Sequence, residues 1–164
     1  MSPYHLTVTV HLLAALLWLG GMFFLAVVGA PVLRRIEPPS LRVQLFQALG
    51  TRFRTVGWIA IAVLILTGTL NVWFRGFLSW STLSDPAFWA TSWGSALGWK
   101  LAAVTFMVLN SAVHDVWLGP AAGRVRPGTP EALRYRAWAS WLARLNAIVG
   151  ILLVVVAVRL ARGG

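Results

Sequence analysis

The chain alternates between long apolar stretches and short polar segments. Four stretches are almost free of charged side chains. Each is long enough to cross a bilayer, because about 20 helical residues span ~30 Å of hydrocarbon. Strands of a membrane barrel would instead alternate in polarity over roughly ten residues. The pattern therefore predicts an all-α integral membrane protein, a four-transmembrane-helix bundle. The predicted spans are residues 6–28, 56–74, 97–118 and 138–158.

The segments between the spans predict two short interfacial helices. In loop one, Ser40 is a candidate N-cap, and the apolar stripe within residues 41–53 favours a helix on the inner surface. In loop two, Asp85-Pro86 is typical of a helix start near the outer surface. Loop three is predicted to turn around Pro127-Gly128. Because these loops are too short for a second core, residues 1–164 are predicted to form one domain.

The distribution of charge indicates how the chain is oriented in the membrane. The formal net charge is +10, and the arginines cluster in loops one and three, whereas no basic residue lies between Gly76 and Trp99. By the positive-inside rule the basic loops face the cytoplasm, which puts both termini outside. Contact with anionic lipid explains the charge. The expected partner is therefore the lipid bilayer, and nucleic acid is not a partner.

A weak internal similarity relates two parts of the chain. Residues 52–57 resemble residues 144–150, and each segment precedes or opens a span. This similarity favours an ancient duplication of a two-helix unit.

His11 is the most informative polar residue because it lies inside the first span. An imidazole in hydrocarbon costs free energy unless something binds it, so such a residue is a functional hypothesis by default. At helical spacing His11 shares a face with Ala14, Trp18 and Gly21, which leaves room for a close helix or a flat cofactor. The alternative is a packing stripe in which His11 bonds to a neighbouring helix. His5 lies close enough to share an outward-facing site.

The third span carries a second set of candidate residues. Lys100, Met107, Ser111 and His114 fall on one helical face. Lys100 alternatively extends to the outer interface as an ordinary surface lysine. His114 is either a ligand or an interfacial residue, and the adjacent Asp115 is predicted to face elsewhere.

The second and fourth spans complete the set. Arg144 and Asn146 lie in the first turns of the fourth span. Arg144 either meets lipid headgroups or binds an anion such as a haem propionate in bidentate fashion. Asn71, in the second span, could bind a quinone carbonyl or help to relay protons.

Depth limits which of these residues can act together. At 1.5 Å per residue, the depths of His11 and His114 differ by roughly 15 Å. Two axial ligands of one haem must face each other across a single iron, so an interpretation with two levels is simpler. The outer level contains His5, His11, Asn71, Lys100 and Met107, and the inner level contains Met22, Arg54, His114, Arg144 and Asn146.

Several short motifs resemble those of a known family. His11-x6-Trp18-x2-Gly21 resembles the first helix of the CopD copper-resistance domain and of the HemJ-type protoporphyrinogen oxidases, which belong to the same superfamily. Lys100 followed by His114 resembles the third helix of both, and Arg144-Leu145-Asn146 resembles the start of the last helix. The resemblance extends over nearly the whole chain.

The resemblance implies a haem b or copper role in a prokaryotic plasma membrane. In HemJ-like proteins the histidine that matches His11 is a haem ligand, and the lysine that matches Lys100 is important for function. HemJ-like proteins have an acidic residue after the asparagine, whereas this chain has Ala147, so porphyrinogen oxidation ranks third. Copper carriers often use cysteine and methionine clusters, and this chain has no cysteine and three methionines, so copper transport ranks second.

The first-ranked function is electron transfer by a haem b-binding membrane protein, with quinone or quinol as partner. If it turns over quinol, it is a haem-dependent quinone oxidoreductase. Four-helix units of this size often associate, so a homo-oligomer is also expected. The expected metal ligands are His5, His11 and His114, the expected cofactor-binding residues add Trp18, Met107, Arg144 and Asn146, and the expected catalytic residues are Asn71 and Lys100.

Overall fold

The computed structural model describes residues 2–125 and 129–162, and all regular secondary structure within these residues is helical. The turn predicted around Pro127-Gly128 lies outside the described residues. Four helical segments are long and apolar enough to span a membrane, which confirms the predicted all-α four-span architecture. They are Pro3–Leu33, Pro39–Phe74, Ser92–Ala121 and Pro130–Ala161. The chain divides into two compact units, Met1–Ser84 and Asp85–Gly164, and the single domain stays a prediction.

The first unit consists of two long helices and short connections. Ser2 caps the first helix, since its hydroxyl accepts a hydrogen bond from the backbone N–H of His5. The elements are α1 (Pro3–Phe24), a π-helical turn (Leu25–Gly29), α2 (Ala30–Leu33), α3 (Pro39–Phe74) and α4 (Trp80–Leu83).

The helix predicted in loop one is the first part of α3. The sequence predicts a separate interfacial helix that starts at Ser40, but the N-cap is Pro38, and the helix continues without interruption to Phe74. Pro39 stands at the first helical position, where proline is tolerated, no proline follows it before Phe74, and isolated glycines are tolerated inside helices. At 36 residues, α3 is longer than the about 20 residues that cross a bilayer. An amphipathic pattern does not distinguish a surface helix from the extension of a spanning one.

The core of the first unit lies between α1 and α3. Contacting residues on α3 occur in the reverse order of those on α1, so the helices are antiparallel: Tyr4 meets Arg75, Thr7 meets Asn71, His11 meets Thr67, and Trp18 meets Gly57. Small residues such as Gly57 and Ala60 are buried there and allow close approach of the backbones. The opposite face of α1 exposes leucines, as a lipid-facing surface requires.

The second unit also contains two long helices. The start predicted at Asp85-Pro86 is confirmed, since the Asp85 carboxylate accepts a hydrogen bond of 2.9 Å from the N–H of Ala87. Thr91 and Thr129 cap the two longest helices of this unit in the same way, each accepting a backbone N–H with its hydroxyl oxygen. The elements are α5 (Pro86–Ala90), α6 (Ser92–Ala112), a π-helical turn (Val113–Leu118), α7 (Gly119–Arg124) and α8 (Pro130–Ala161).

The two units share a local plan that agrees with the predicted duplication. In each, the first spanning helix widens into a π-helical turn just before a proline, Pro31 in one and Pro120 in the other. A proline has no N–H for the carbonyl four residues earlier, and its ring crowds that carbonyl. In both units that carbonyl, of Val27 or Val116, lies within the π-helical turn, where the wider turn accommodates the ring.

Candidate functional site

His11 lies at the interface of α1 and α3, where a threonine contacts its ring. The Nδ1 atom of His11 is 2.8 Å from Oγ1 of Thr67. The Thr67 hydroxyl donates a 2.6 Å hydrogen bond to the carbonyl of Val63, one turn earlier in α3. Thr67 is only 5% exposed, so this arrangement is shielded from solvent. The imidazole is therefore held at one edge by an ordered polar group inside a membrane span.

Gly68 provides the space that the imidazole occupies. A Cβ atom added at Gly68 would lie 3.3 Å from Cε1 of His11, which is tighter than most contacts of real Cβ atoms. Thr67 and Gly68 thus act together on the His11 ring, one by a hydrogen bond and the other by its missing side chain.

Further polar contacts continue along the same interface toward the N-terminal end of α1. The Thr7 hydroxyl lies 2.7 Å from Oδ1 of Asn71, to which it donates a hydrogen bond. The guanidinium of Arg75 donates to the Tyr4 hydroxyl at 3.1 Å and lies over the Tyr4 ring. Asn71 and His11, both predicted as site residues, therefore face the same helix interface, on successive turns of their helices.

His5 and Trp18 lie on the two sides of His11 along α1. His5 is exposed at the helix start, where its Nδ1 is 2.6 Å from the Ser2 hydroxyl. Trp18 is 4% exposed and packs over Gly57. The structure thus brings His5, His11, Asn71 and Trp18 into one helix pair.

The candidate residues of the second unit fall into two groups. Met107 has no exposed surface, and Asn146 is 5% exposed, so both belong to the core between α6 and α8. Lys100 is half-buried on α6, and Arg144 is exposed on α8.

His114 and Asp115 form a close pair, contrary to the prediction that Asp115 faces elsewhere. Nδ1 of His114 is 2.8 Å from Oδ1 of Asp115. Both residues lie in the π-helical turn Val113–Leu118. A π-turn has more residues per turn than an α-helix, so consecutive side chains diverge less. The prediction was wrong because it assumed α-helical geometry through this segment.

Asn110 and Thr67 lie at these helix interfaces but were not among the predicted site residues. The Asn110 amide donates to Oδ1 of Asn146 at 2.6 Å, and Asn146 donates to Oγ of Ser111 at 3.0 Å. Asn110 could have been found, since it is a polar residue inside a predicted span, as His11 is. Thr67 carries no such signal, because a threonine can satisfy its hydroxyl on its own helix.

No cluster of three or more histidine, cysteine, aspartate or glutamate side chains suited to a metal ion occurs within residues 2–125 and 129–162. A metal ion bound at His11 would therefore take its other ligands from elsewhere, such as methionine sulfur, carbonyl oxygens, a macrocycle or a second chain.

The four spans and the polar residues within them define a multi-pass integral membrane protein. The chain matches the family model of copper resistance protein D over residues 47–160, more than half of its length. A relative from Aquifex aeolicus (strain VF5), described as an uncharacterized protein, is 32% identical over 154 residues, with 93% of this chain and 92% of the relative covered. No solved structure matches. The chain belongs to the CopD family, as its motifs predicted.

The extent of the family match matters for the site. The matched residues include Asn71, Lys100 and His114, whereas His11 lies before them. His11 is therefore a candidate site residue because of its place in the span and its contacts with Thr67 and Gly68.

Proposed function

We propose that this protein carries copper ions across the plasma membrane and that His11 is a copper ligand on the outer side. The observation that carries the proposal is the His11 imidazole, held inside a membrane span by Thr67 at 2.8 Å. Imidazole is a good copper ligand, and metal-binding histidines almost always bond their second ring nitrogen to a neighbour. The family of copper resistance protein D supports copper as the cargo.

Further histidines suggest where copper enters and leaves. His5 is exposed at the start of α1, six residues before His11, so the two side chains differ in depth by roughly 9 Å. His5 would receive copper from outside and transfer it to His11. His114, paired with Asp115, would bind copper at the inner level, where a carboxylate favours a cation. Met22 in the first unit and Met107 in the second are soft sulfur donors of the kind that bind copper(I).

The orientation follows from the basic loops. By the positive-inside rule, the arginines of loops one and three favour a cytoplasmic side for these loops, and we propose that both termini are outside. In that orientation His5 faces the source of copper.

A second candidate function is electron transfer by haem b. The same hydrogen bond of His11 to Thr67 favours it, because a histidine that would hold haem also needs one anchored nitrogen. An imidazole nitrogen is a suitable ligand for haem iron. Haem would supply one-electron chemistry, with quinol or quinone as the partner. Arg144 is exposed and could hold a propionate, while Lys100 and Asn71 would bind the quinone carbonyl or relay protons. Trp18, buried in the same helix pair as His11, would shape the surroundings of the cofactor.

One set of preparations separates the two candidates. The purified protein is examined by elemental analysis and absorption spectroscopy, and proteoliposomes are tested for copper uptake with a chelating dye inside. The copper proposal expects a colourless protein that binds copper and transports it, with both properties lost in His11→Ala. Leu12→Ala, on the exposed face of the same helix turn, is the matched control.

Each other outcome has a definite meaning. A Soret band that disappears in His11→Ala would show that His11 binds haem rather than copper. Copper uptake that persists in His11→Ala, or a protein that binds neither copper nor haem, would overturn the proposal.

A further inference from the structure

We infer that Thr67 is a positioning residue that fixes the His11 imidazole in the tautomer with hydrogen on Nδ1, so that the lone pair of the neutral ring is on Nε2, the nitrogen that would bind a metal. This inference deepens the proposed function and depends on it only for the consequence in metal binding. The tautomer itself is a property of the protein without metal.

The single hydrogen on the Thr67 hydroxyl determines which nitrogen of His11 carries the hydrogen. A threonine hydroxyl has a single hydrogen and two lone pairs. The Thr67 hydrogen lies toward the Val63 carbonyl, because Oγ1 is 2.6 Å from that oxygen, which can only accept. Oγ1 of Thr67 must then accept at its 2.8 Å contact with Nδ1 of His11. The donor of that second bond is therefore the Nδ1–H group of His11.

The alternative arrangement is unfavourable at this depth. If Nδ1 lacked its hydrogen, either the Nδ1–Oγ1 contact or the Oγ1–carbonyl contact would bring two lone pairs together. Thr67 is 5% exposed and lies inside a membrane span, so water does not readily compensate. An unsatisfied polar contact in such surroundings costs on the order of 1–3 kcal/mol, enough to select one tautomer.

The consequence concerns the nitrogen on the other side of the ring. In a neutral imidazole with hydrogen on Nδ1, the lone pair is on Nε2, and metals bind the lone pair. In free histidine the two tautomers interconvert. Without a fixed partner, His11 would likewise be a mixture, and only the tautomer with its lone pair on Nε2 could bind a metal through that atom. Thr67 selects that tautomer in advance, which holds for copper and for haem iron alike.

The chain offers a matched control for Thr67. Thr69 also donates to the carbonyl one turn earlier, Ile65, at 2.9 Å, but it lies on the exposed side of α3. Thr69→Val removes the same hydroxyl from the same helix. Thr67→Val keeps the shape of the side chain, and Thr67→Ser keeps the hydroxyl.

The first test is nitrogen NMR of the metal-free protein. The full chain is labelled with ¹⁵N-histidine in a background of His5→Gln and His114→Gln, so that His11 alone reports. We expect a protonated Nδ1 and an unprotonated Nε2 with Thr67, Thr67→Ser and Thr69→Val, and a mixture of tautomers with Thr67→Val. A protonated Nε2 in the unmodified site overturns the inference, and this measurement needs no variant at Thr67 to fold. An unchanged spectrum in Thr67→Val overturns it as well.

The second test is copper(I) affinity, measured by competition with a chromophoric chelator. Loss of a group that orients a ligand typically costs 10–100-fold in metal affinity. We expect that loss in Thr67→Val, little change in Thr69→Val, and recovery in Thr67→Ser. If no variant binds copper or haem but the tautomers behave as expected, the proposed function fails and the positioning role stands. If affinity falls without a change of tautomer, the positioning role fails.

Discussion

The side-chain amide of Asn110 donates a 2.6 Å hydrogen bond to Oδ1 of Asn146, and this bond links α6 to α8 inside the second unit. Asn110 also donates to the carbonyl of Leu142. Asn146 in turn donates to Ser111 and to the carbonyl of Met107. Both amides are thus largely satisfied between two helices, where lipid tails offer no competing partner. The pair stabilises the packing of the second unit whatever further role Asn146 has.

Replacing both members of the pair should cost less than the sum of the two single replacements. Asn110→Leu or Asn146→Leu alone leaves a buried amide without its main partner, and we expect a loss of about 1–2 kcal/mol. The double variant removes both polar groups at similar volume and should be less destabilised than the sum of the single variants. Thermal unfolding in detergent measures these differences, with Arg144→Gln on the exposed face of α8 as the control. Strictly additive losses would show that the two amides do not act as a pair.

Gly68→Ala should weaken metal binding with little effect on stability. The added Cβ would lie 3.3 Å from Cε1 of His11, so the ring has to tilt away from its position beside Thr67. We expect copper(I) affinity to fall by about tenfold, the lower end of the range for groups that orient metal ligands. Gly20→Ala, with no atom within 4 Å of its added Cβ, is the control on α1. Unchanged affinity in Gly68→Ala would place the bound metal away from His11.

Gly94→Ala and Gly50→Ala should change stability in opposite directions. A Cβ at Gly94 would overlap the backbone carbonyl of Phe88, which cannot rotate away, and overpacking of this kind costs about 1–3 kcal/mol. At Gly50 the added Cβ meets nothing within 4 Å, and alanine is favoured over glycine in a helix by about 0.5–1 kcal/mol. Thermal unfolding of both variants under the same conditions measures the two changes in stability. A stable Gly94→Ala protein would mean that the start of α6 does not pack against α5 as described.

The four spans could be predicted because bilayer insertion depends mainly on composition along the chain. The hydropathy of residues 6–28 or 138–158 is the same whatever packs against them, so the number of spans follows from the sequence alone. His11 could be recognised for the same reason, since a polar residue in an apolar run is visible without a partner.

The partners across the helix interfaces could not be predicted in this way. Which of the polar residues in α3 meets His11 depends on the rotation and register of two helices, and Thr67 is no more polar than Thr69. The His114–Asp115 pair depends on a π-helical turn that lies before Pro120. Proline predicts a disturbance at that point but does not specify its form.

The repeated plan of the two units adds one relationship that neither motif shows by itself. His11 precedes Pro31 by the same number of residues as Lys100 precedes Pro120. Since each proline follows its own π-helical turn, His11 and Lys100 hold corresponding positions in the two units. The first unit thus has an imidazole at this position, and the second unit has an amine.

The proposed direction of copper movement requires both termini outside, which labelling can test. Because the chain has no cysteine, a single introduced thiol reports on one position only. Ser84→Cys lies in loop two and Gln47→Cys lies in the N-terminal part of α3, and both native side chains are exposed. A membrane-impermeant maleimide should label Ser84→Cys in intact cells and Gln47→Cys only after the membrane is opened. The reverse pattern would place His5 and His11 at the cytoplasmic end of their span, and copper would then have to leave through them rather than enter.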